Sequence, residues 1–168
     1  MNIFILDDEI RDIPKLMSDQ HVIKMILESC QIACTVHHLQ GSDDVPYRKT
    51  HQNHPCVRWV MESLDNYHYL LALTEALCRE YTFRFGKRHK SQDVLEWLNM
   101  NHPGLRSHGF TPHVQCMPDE FKQKDAVEAY KAYYFYKYTI SLRDKRTRMR
   151  FTNRNVPEFI TNNIMACI

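Results

Sequence analysis

The sequence predicts a mainly α fold: a single-domain helical bundle with a short extended segment at its N-terminal end. Three observations point to it. The 168 residues include only four glycines, so long segments of helical periodicity run with few interruptions. Apolar residues make up 43% and charged residues 25%, the balance of a globular chain long enough to bury a core of its own. No internal repeat, low-complexity tract or long linker divides the sequence. One domain is therefore expected over residues 1–168, ending in a basic tail.

The elements follow in order. The apolar run "NIFILD" (2–7) is at most one strand. Pro14 and then Ser18 or Asp19, either a suitable N-cap, precede a helix expected over 19–39. "GSDDVPYRKTHQNH" reads as a loop. Pro55 stands where a helix can begin, because the first helical position needs no N–H donor. A helix is expected from there to Phe85, with a break near Asp65, and Gly86 is a natural stop. "SQDVLEWLNM" is a short helix and "NHPGLRSHGFTPHVQCMPDEF" a loop. Asp125 and Glu128 form a capping box for "AVEAYKAYYFYKYTISL", and "VPEFI" adds one turn.

The sequence contains neither eighteen consecutive apolar residues nor a signal-peptide pattern, so a cytoplasmic protein of a bacterium or of a virus-infected host, with no membrane partner, is expected. Cys30, Cys34, Cys56, Cys78, Cys116 and Cys167 form no CxxC pair and read as buried free thiols. Ten histidines are present, but neither HExxH nor finger spacing occurs, and no metal or cofactor is expected. Net charge is only +2, yet "RDKRTRMRFTNR" (143–154) carries six Lys or Arg and one acid. Such a tail suits an anionic partner such as nucleic acid, or is a solvated helix end.

The first long helix carries an unusual pattern. His21, Lys24, Glu28, Gln31 and Thr35 share one face at helical spacing, and the rest of the circumference is largely apolar. A narrow polar stripe on a helix otherwise built for burial faces either solvent, with Lys24 and Glu28 paired, or a cleft. The next helix presents Trp59, Glu62, Asn66 and Tyr67, a mixture suited to a pocket wall or to core packing with satisfied amides. Lys87, His89 and Lys90 gather before a helix N-terminus, an electrostatically favourable place for phosphate. Tyr130 and Tyr134 interleave with lysines, as in surfaces that stack bases, and also fit a core.

The segment "DQHVIKMILES" resembles the first helix of the pyrimidine-dimer DNA glycosylases of the endonuclease V type. Asp19, Gln20 and His21 match that family's motif, and Glu28 falls on its catalytic glutamate. "AYKAYY" is similar to its aromatic C-terminal segment. The wider run through "HPCVRW", "ESLDNY", "GKRHKS" and "MPDE" resembles uncharacterised phage and bacterial proteins grouped with it. The resemblance implies the family's fold and an enzyme, phage-encoded, that cleaves an N-glycosidic bond at C1′ of a damaged or modified nucleotide in DNA. It implies Glu28 as the carboxylate, with His21 and Lys24 assisting. On that reading His54, Trp59, Glu62, Asn66 and Tyr67 line the pocket, and Lys87, Lys90 and the tail hold phosphates. The family attacks C1′ with the α-amine of a threonine exposed by Met removal. Here Asn2 is the second residue, and Leu27 and Gln31 stand where the family has arginines. Water is therefore the expected nucleophile, ahead of the Met1 amine or Lys24, giving base release without strand cleavage. Two alternatives stay open: a nucleotide-level N-glycosidase or base or sugar transferase, and a non-catalytic nucleic-acid-binding phage protein.

Overall fold

The computed structural model describes residues 1–166, so Cys167 lies outside the described residues. Six helices make the framework: α1 (Asp19–Leu39), α2 (Pro55–Glu62), α3 (Leu64–Phe85), α4 (Gln92–Met100), α5 (Ala126–Ser141) and α6 (Glu158–Ala166). α1 is the central element and packs against α2, α3 and α4, while α5 pairs with α6. Thirteen of the 21 residues of α1 are buried, as its wide apolar arc requires. No strand forms among the described residues. Ile3 to Leu6, the apolar run read as at most one strand, is a buried segment without strand pairing. Apolar content alone cannot tell those two outcomes apart.

Local chemistry explains the helix limits. Ser63 lies in extended conformation between α2 and α3, where its hydroxyl accepts from the Asp65 N–H and caps α3. Gly86 ends α3 at φ +63°, in the left-handed region that glycine occupies at little cost. Asp125 accepts from the N–H groups of Val127 and Glu128 and caps α5. Glu128 pairs with Lys131. α6 extends over nine residues where one turn was expected.

One buried ionic cluster joins distant parts of the chain. Arg84, near the end of α3, pairs with Glu80 at 2.7 Å and with Asp19 at 3.0 Å. It also donates to the carbonyls of Pro14 and Met17. Arg154, from the basic tail, donates to both carboxylate oxygens of Glu80. Asp19 accepts in addition from the backbone and the hydroxyl of Thr152. Two acids and two arginines thus balance within the cluster, the condition under which charge is tolerated away from water. Burial pushes the Glu80 carboxyl up, but the hydrogen bonds from Arg154 and Arg84 outweigh it and hold the group below the usual carboxylate range. The tail also accepts at the first turn of α1, from the Asp19 N–H at the Arg150 carbonyl and from the Gln20 side chain at the Arg148 carbonyl.

Candidate active site

Glu28 is buried on α1, about two helical turns beyond His21. Its Oε1 lies 3.3 Å from the Lys24 ammonium, one turn earlier on the same face. Its Oε2 lies 3.4 Å from the Met1 ammonium. That oxygen accepts no hydrogen bond among the described residues. A buried carboxylate oxygen without a hydrogen bond is uncommon. The Met1 segment is anchored by Asn2, whose side chain donates to the Cys116 carbonyl at 2.9 Å and accepts from Tyr130 at 3.0 Å. The apolar residues that follow Asn2 are buried, so both ends of this short segment are constrained.

Lys24 is 64% exposed at its side chain. Its neighbours on the outer face of α1, Ile23 and Leu27, are 43% and 38% exposed. The stripe therefore combines the two readings of the sequence, a solvent-facing Lys24 paired with a buried Glu28. Thr35, farther along, is turned inward and bonded to Gln31 and Thr50.

His21 stands in a different environment. The Tyr134 hydroxyl accepts from the Ser18 N–H at 2.7 Å and lies 2.7 Å from His21 Nδ1. Nδ1 also lies 3.1 Å from the Ser18 hydroxyl, so two hydroxyls face this nitrogen. Burial, with Lys137 and Lys24 nearby, lowers the His21 pKa to about 3. The ring is neutral at physiological pH. It lines a cleft of about 460 Å³ together with Gln20, Lys137, Arg146, Thr147 and Met149. Another cleft of about 430 Å³, between α3 and α4, holds none of the expected site residues.

The shift at His21 has a measurable consequence. Above pH 6.5 the ring is neutral whether the chain is folded or unfolded. Below it the unfolded chain takes up a proton that the folded chain refuses until about pH 3, so stability falls across that window. His21→Gln removes this contribution. The stability difference between parent and variant, from urea unfolding, should change by about 1.4 kcal/mol per pH unit between pH 6 and 4. A difference independent of pH would mean that His21 is not buried as a neutral ring.

The remaining expected site residues divide. His54 caps α2 by accepting from the Cys56 N–H at 3.1 Å. Burial and the Met1 ammonium lower its pKa while Glu28 raises it, which places it in the electrostatic field of the Glu28 centre. Trp59, Glu62, Asn66 and Tyr67 are not brought to Glu28. Trp59 is buried and donates to the Pro112 carbonyl. Asn66 bonds Thr111 and the Trp59 carbonyl, and Glu62 accepts from Thr111. These three hold the 101–125 loop, and Tyr67 is wholly buried against His37. Tyr130 and Tyr134 are likewise core residues with their hydroxyls engaged. Of the two readings the sequence left open for these side chains, their burial and their hydrogen bonds within the fold match core packing with satisfied polar groups.

Lys87 and Lys90 are exposed. His89 is half-buried; it accepts from the Ser91 N–H and hydrogen-bonds the Ile23 backbone. That contact places the basic 84–90 segment beside the exposed side of α1, and the tail borders the same helix at Gln20. Sequence reasoning missed the cleft members Ser18, Gln20 and Lys137, whose meeting depends on how α5 folds back onto α1. It also missed that His54, Cys56 and Cys116 gather three possible metal-ligand atoms.

A family model for pyrimidine dimer DNA glycosylase matches residues 1–94, over half of the chain. The chain belongs to this family. The matched span contains the N-terminal segment, all of α1 with Glu28, and α2 and α3. No curated protein and no solved structure gives a match. Membership supports a glycosylase-like activity in general terms, and the family's span coincides with the part of the fold that brings the Met1 amine, Lys24 and Glu28 together. Among the described residues no helix is long and apolar enough to cross a membrane.

Proposed function

We propose that the protein is a DNA N-glycosylase that acts at C1′ of a damaged or modified nucleotide in a duplex. The observation that carries this reading is the buried Glu28 carboxylate, set between two amines in a chain of the pyrimidine-dimer glycosylase family. Breaking an N-glycosidic bond builds positive charge on the sugar, and a carboxylate beside C1′ stabilises it. Basic segments flank the exposed side of α1 and suit the phosphates on either side of the target. Reaching a base inside a duplex requires that it be flipped or the helix kinked. The exposed Ile23 and Leu27 supply apolar surface for the opened stack.

The position of Met1 favours a second reading of the nucleophile. With its ammonium 3.4 Å from an oxygen that accepts no hydrogen bond, Glu28 is placed to take a proton from it. The freed amine would then bond to C1′ as the bond to the base breaks. Ring opening would give an imine, and strand cleavage could follow. With water as nucleophile, Glu28 activates the water and only the base is lost.

The experiment uses a duplex bearing one cyclobutane pyrimidine dimer, with an undamaged duplex and free nucleotides as controls, in the presence of borohydride. Base release confined to the damaged duplex supports the function. A trapped adduct on the N-terminal residue identifies the amine, and clean release without adduct identifies water. Release from free nucleotides alone would replace DNA repair with nucleotide chemistry, and no release from any of them would remove this substrate from the proposal.

A further inference from the structure

His54, Cys56 and Cys116 bring one nitrogen and two sulfur donors to a common point. Their ligand atoms lie within 4.8 Å of one another, and the two sulfurs are 3.4 Å apart. The three come from two segments that nothing in the sequence links. His54 and Cys56 open α2, and Cys116 comes from the loop before α5, sixty positions on. The backbone on the loop side is fixed. The Cys116 N–H donates to the Tyr130 hydroxyl, and its carbonyl accepts from Asn2.

We propose that these three side chains bind a thiophilic divalent cation, of which zinc fits best. Tetrahedral zinc with Zn–S bonds of about 2.3 Å holds its sulfurs about 3.8 Å apart. The pair needs to open by only about 0.4 Å, whereas a disulfide at about 2.05 Å would require it to close by about 1.4 Å. A mixed imidazole and thiolate set suits zinc and is unsuited to calcium or magnesium, which take oxygen ligands. His54 Nδ1 already presents a lone pair, the one that accepts from the Cys56 N–H, and this lone pair turns to the ion. Binding releases the two thiol protons to solvent as the thiolates form. Cys56 is buried and Cys116 half-buried, so the ion enters from the Cys116 side. Three protein ligands leave a fourth position for water or another small ligand. The ion would lock the loop to α2 and, through the bond from Asn2 to the Cys116 carbonyl, fix the segment that carries the Met1 amine.

The test is cobalt substitution in untagged, reduced protein stripped of metal with a chelator. One equivalent of cobalt(II) should produce tetrahedral ligand-field bands and a thiolate-to-cobalt charge-transfer band of two-sulfur intensity, both erased by zinc. Cys116→Ser should lose about half of the charge-transfer intensity or all of it, since one of two sulfur ligands is removed. His54→Asn keeps a capping side chain, and its affinity should fall by more than the roughly 10- to 100-fold typical for loss of a mere hydrogen-bonding partner of a ligand. Zinc should also slow alkylation of Cys116 in the parent, a readout that survives if a variant fails to fold. A folded, reduced parent without the charge-transfer band would overturn the site. So would a band unchanged in Cys116→Ser, bands from histidine ligands alone, or unaltered alkylation. Recovery of a Cys56–Cys116 disulfide, with no cobalt bound after reduction, would overturn it in favour of a redox pair.

Discussion

Glu28→Gln is expected to lower base release from a damaged duplex by about 10²- to 10⁴-fold, the range removed with a catalytic proton-transfer group, while duplex binding changes little. The side chain is buried and the amide has nearly the same shape, so packing of α1 is preserved. On the proposed mechanism, what is lost is the negative charge set against C1′ and the acceptor for the proton of the attacking group. Lys24 is largely exposed and returns to solvent, while the Met1 ammonium loses its charge partner and faces a neutral amide, a cost to stability that leaves the helix itself in place. Circular dichroism and a gel-shift titration should therefore match the parent, and single-turnover kinetics should not. Glu28→Asp separates the two requirements: it keeps the charge and withdraws it by one methylene. An intermediate rate would show that position as well as charge matters. A Glu28→Gln enzyme as fast as the parent would remove the carboxylate from the chemistry.

The largest expected loss of stability is at Arg84. Replacing it with methionine keeps much of the apolar stem but leaves Asp19 without its arginine and Glu80 with Arg154 alone. The carbonyls of Pro14 and Met17 lose their donor as well. Removing one partner of a buried pair costs about 3–5 kcal/mol, a large share of the roughly 5–15 kcal/mol of a typical domain. Guanidinium unfolding with the slope held constant measures it. A change below about 1 kcal/mol, the range of an exposed pair, would mean that the cluster contributes as surface charge does. Arg84→Lys is not a conservative rescue, because one ammonium cannot span Glu80, Asp19 and the two carbonyls.

Local signals in the sequence carried the helices well. The wide apolar arc of 19–39, Pro55 at the start of α2 and Gly86 after α3 each act within a few residues, and so does the Asp125 cap. Lys24 and Glu28 were legible for the same reason, because residues four apart on a helix must meet. The run at 2–7 was ambiguous because apolar content does not specify hydrogen-bond partners. α6 was read as one turn at "VPEFI", and it runs on over nine residues with Phe159 and Ile160 packed against the core. The site beyond α1 was much less legible. Trp59 and Asn66 carried the composition of a pocket wall, but their partners are Pro112 and Thr111 in a loop some fifty positions away. Tyr134 and His21 are 113 positions apart, and Cys56 and Cys116 are sixty apart. Such meetings depend on the paths of irregular loops, which carry no periodicity to read.

The way in which the first turn of α1 is completed bears on how the protein is made. Asp19 receives its backbone partner from Arg150 and its side-chain partner from Thr152, 133 positions later. On a ribosome adding about 5–20 residues per second, those partners follow Asp19 by roughly 7–27 s. Throughout that interval the helix bearing Glu28 waits without its final clasp. Nascent chains arrested before residue 150 should therefore remain protease-sensitive at residues 17–20, and that sensitivity should disappear only when the tail clears the exit tunnel.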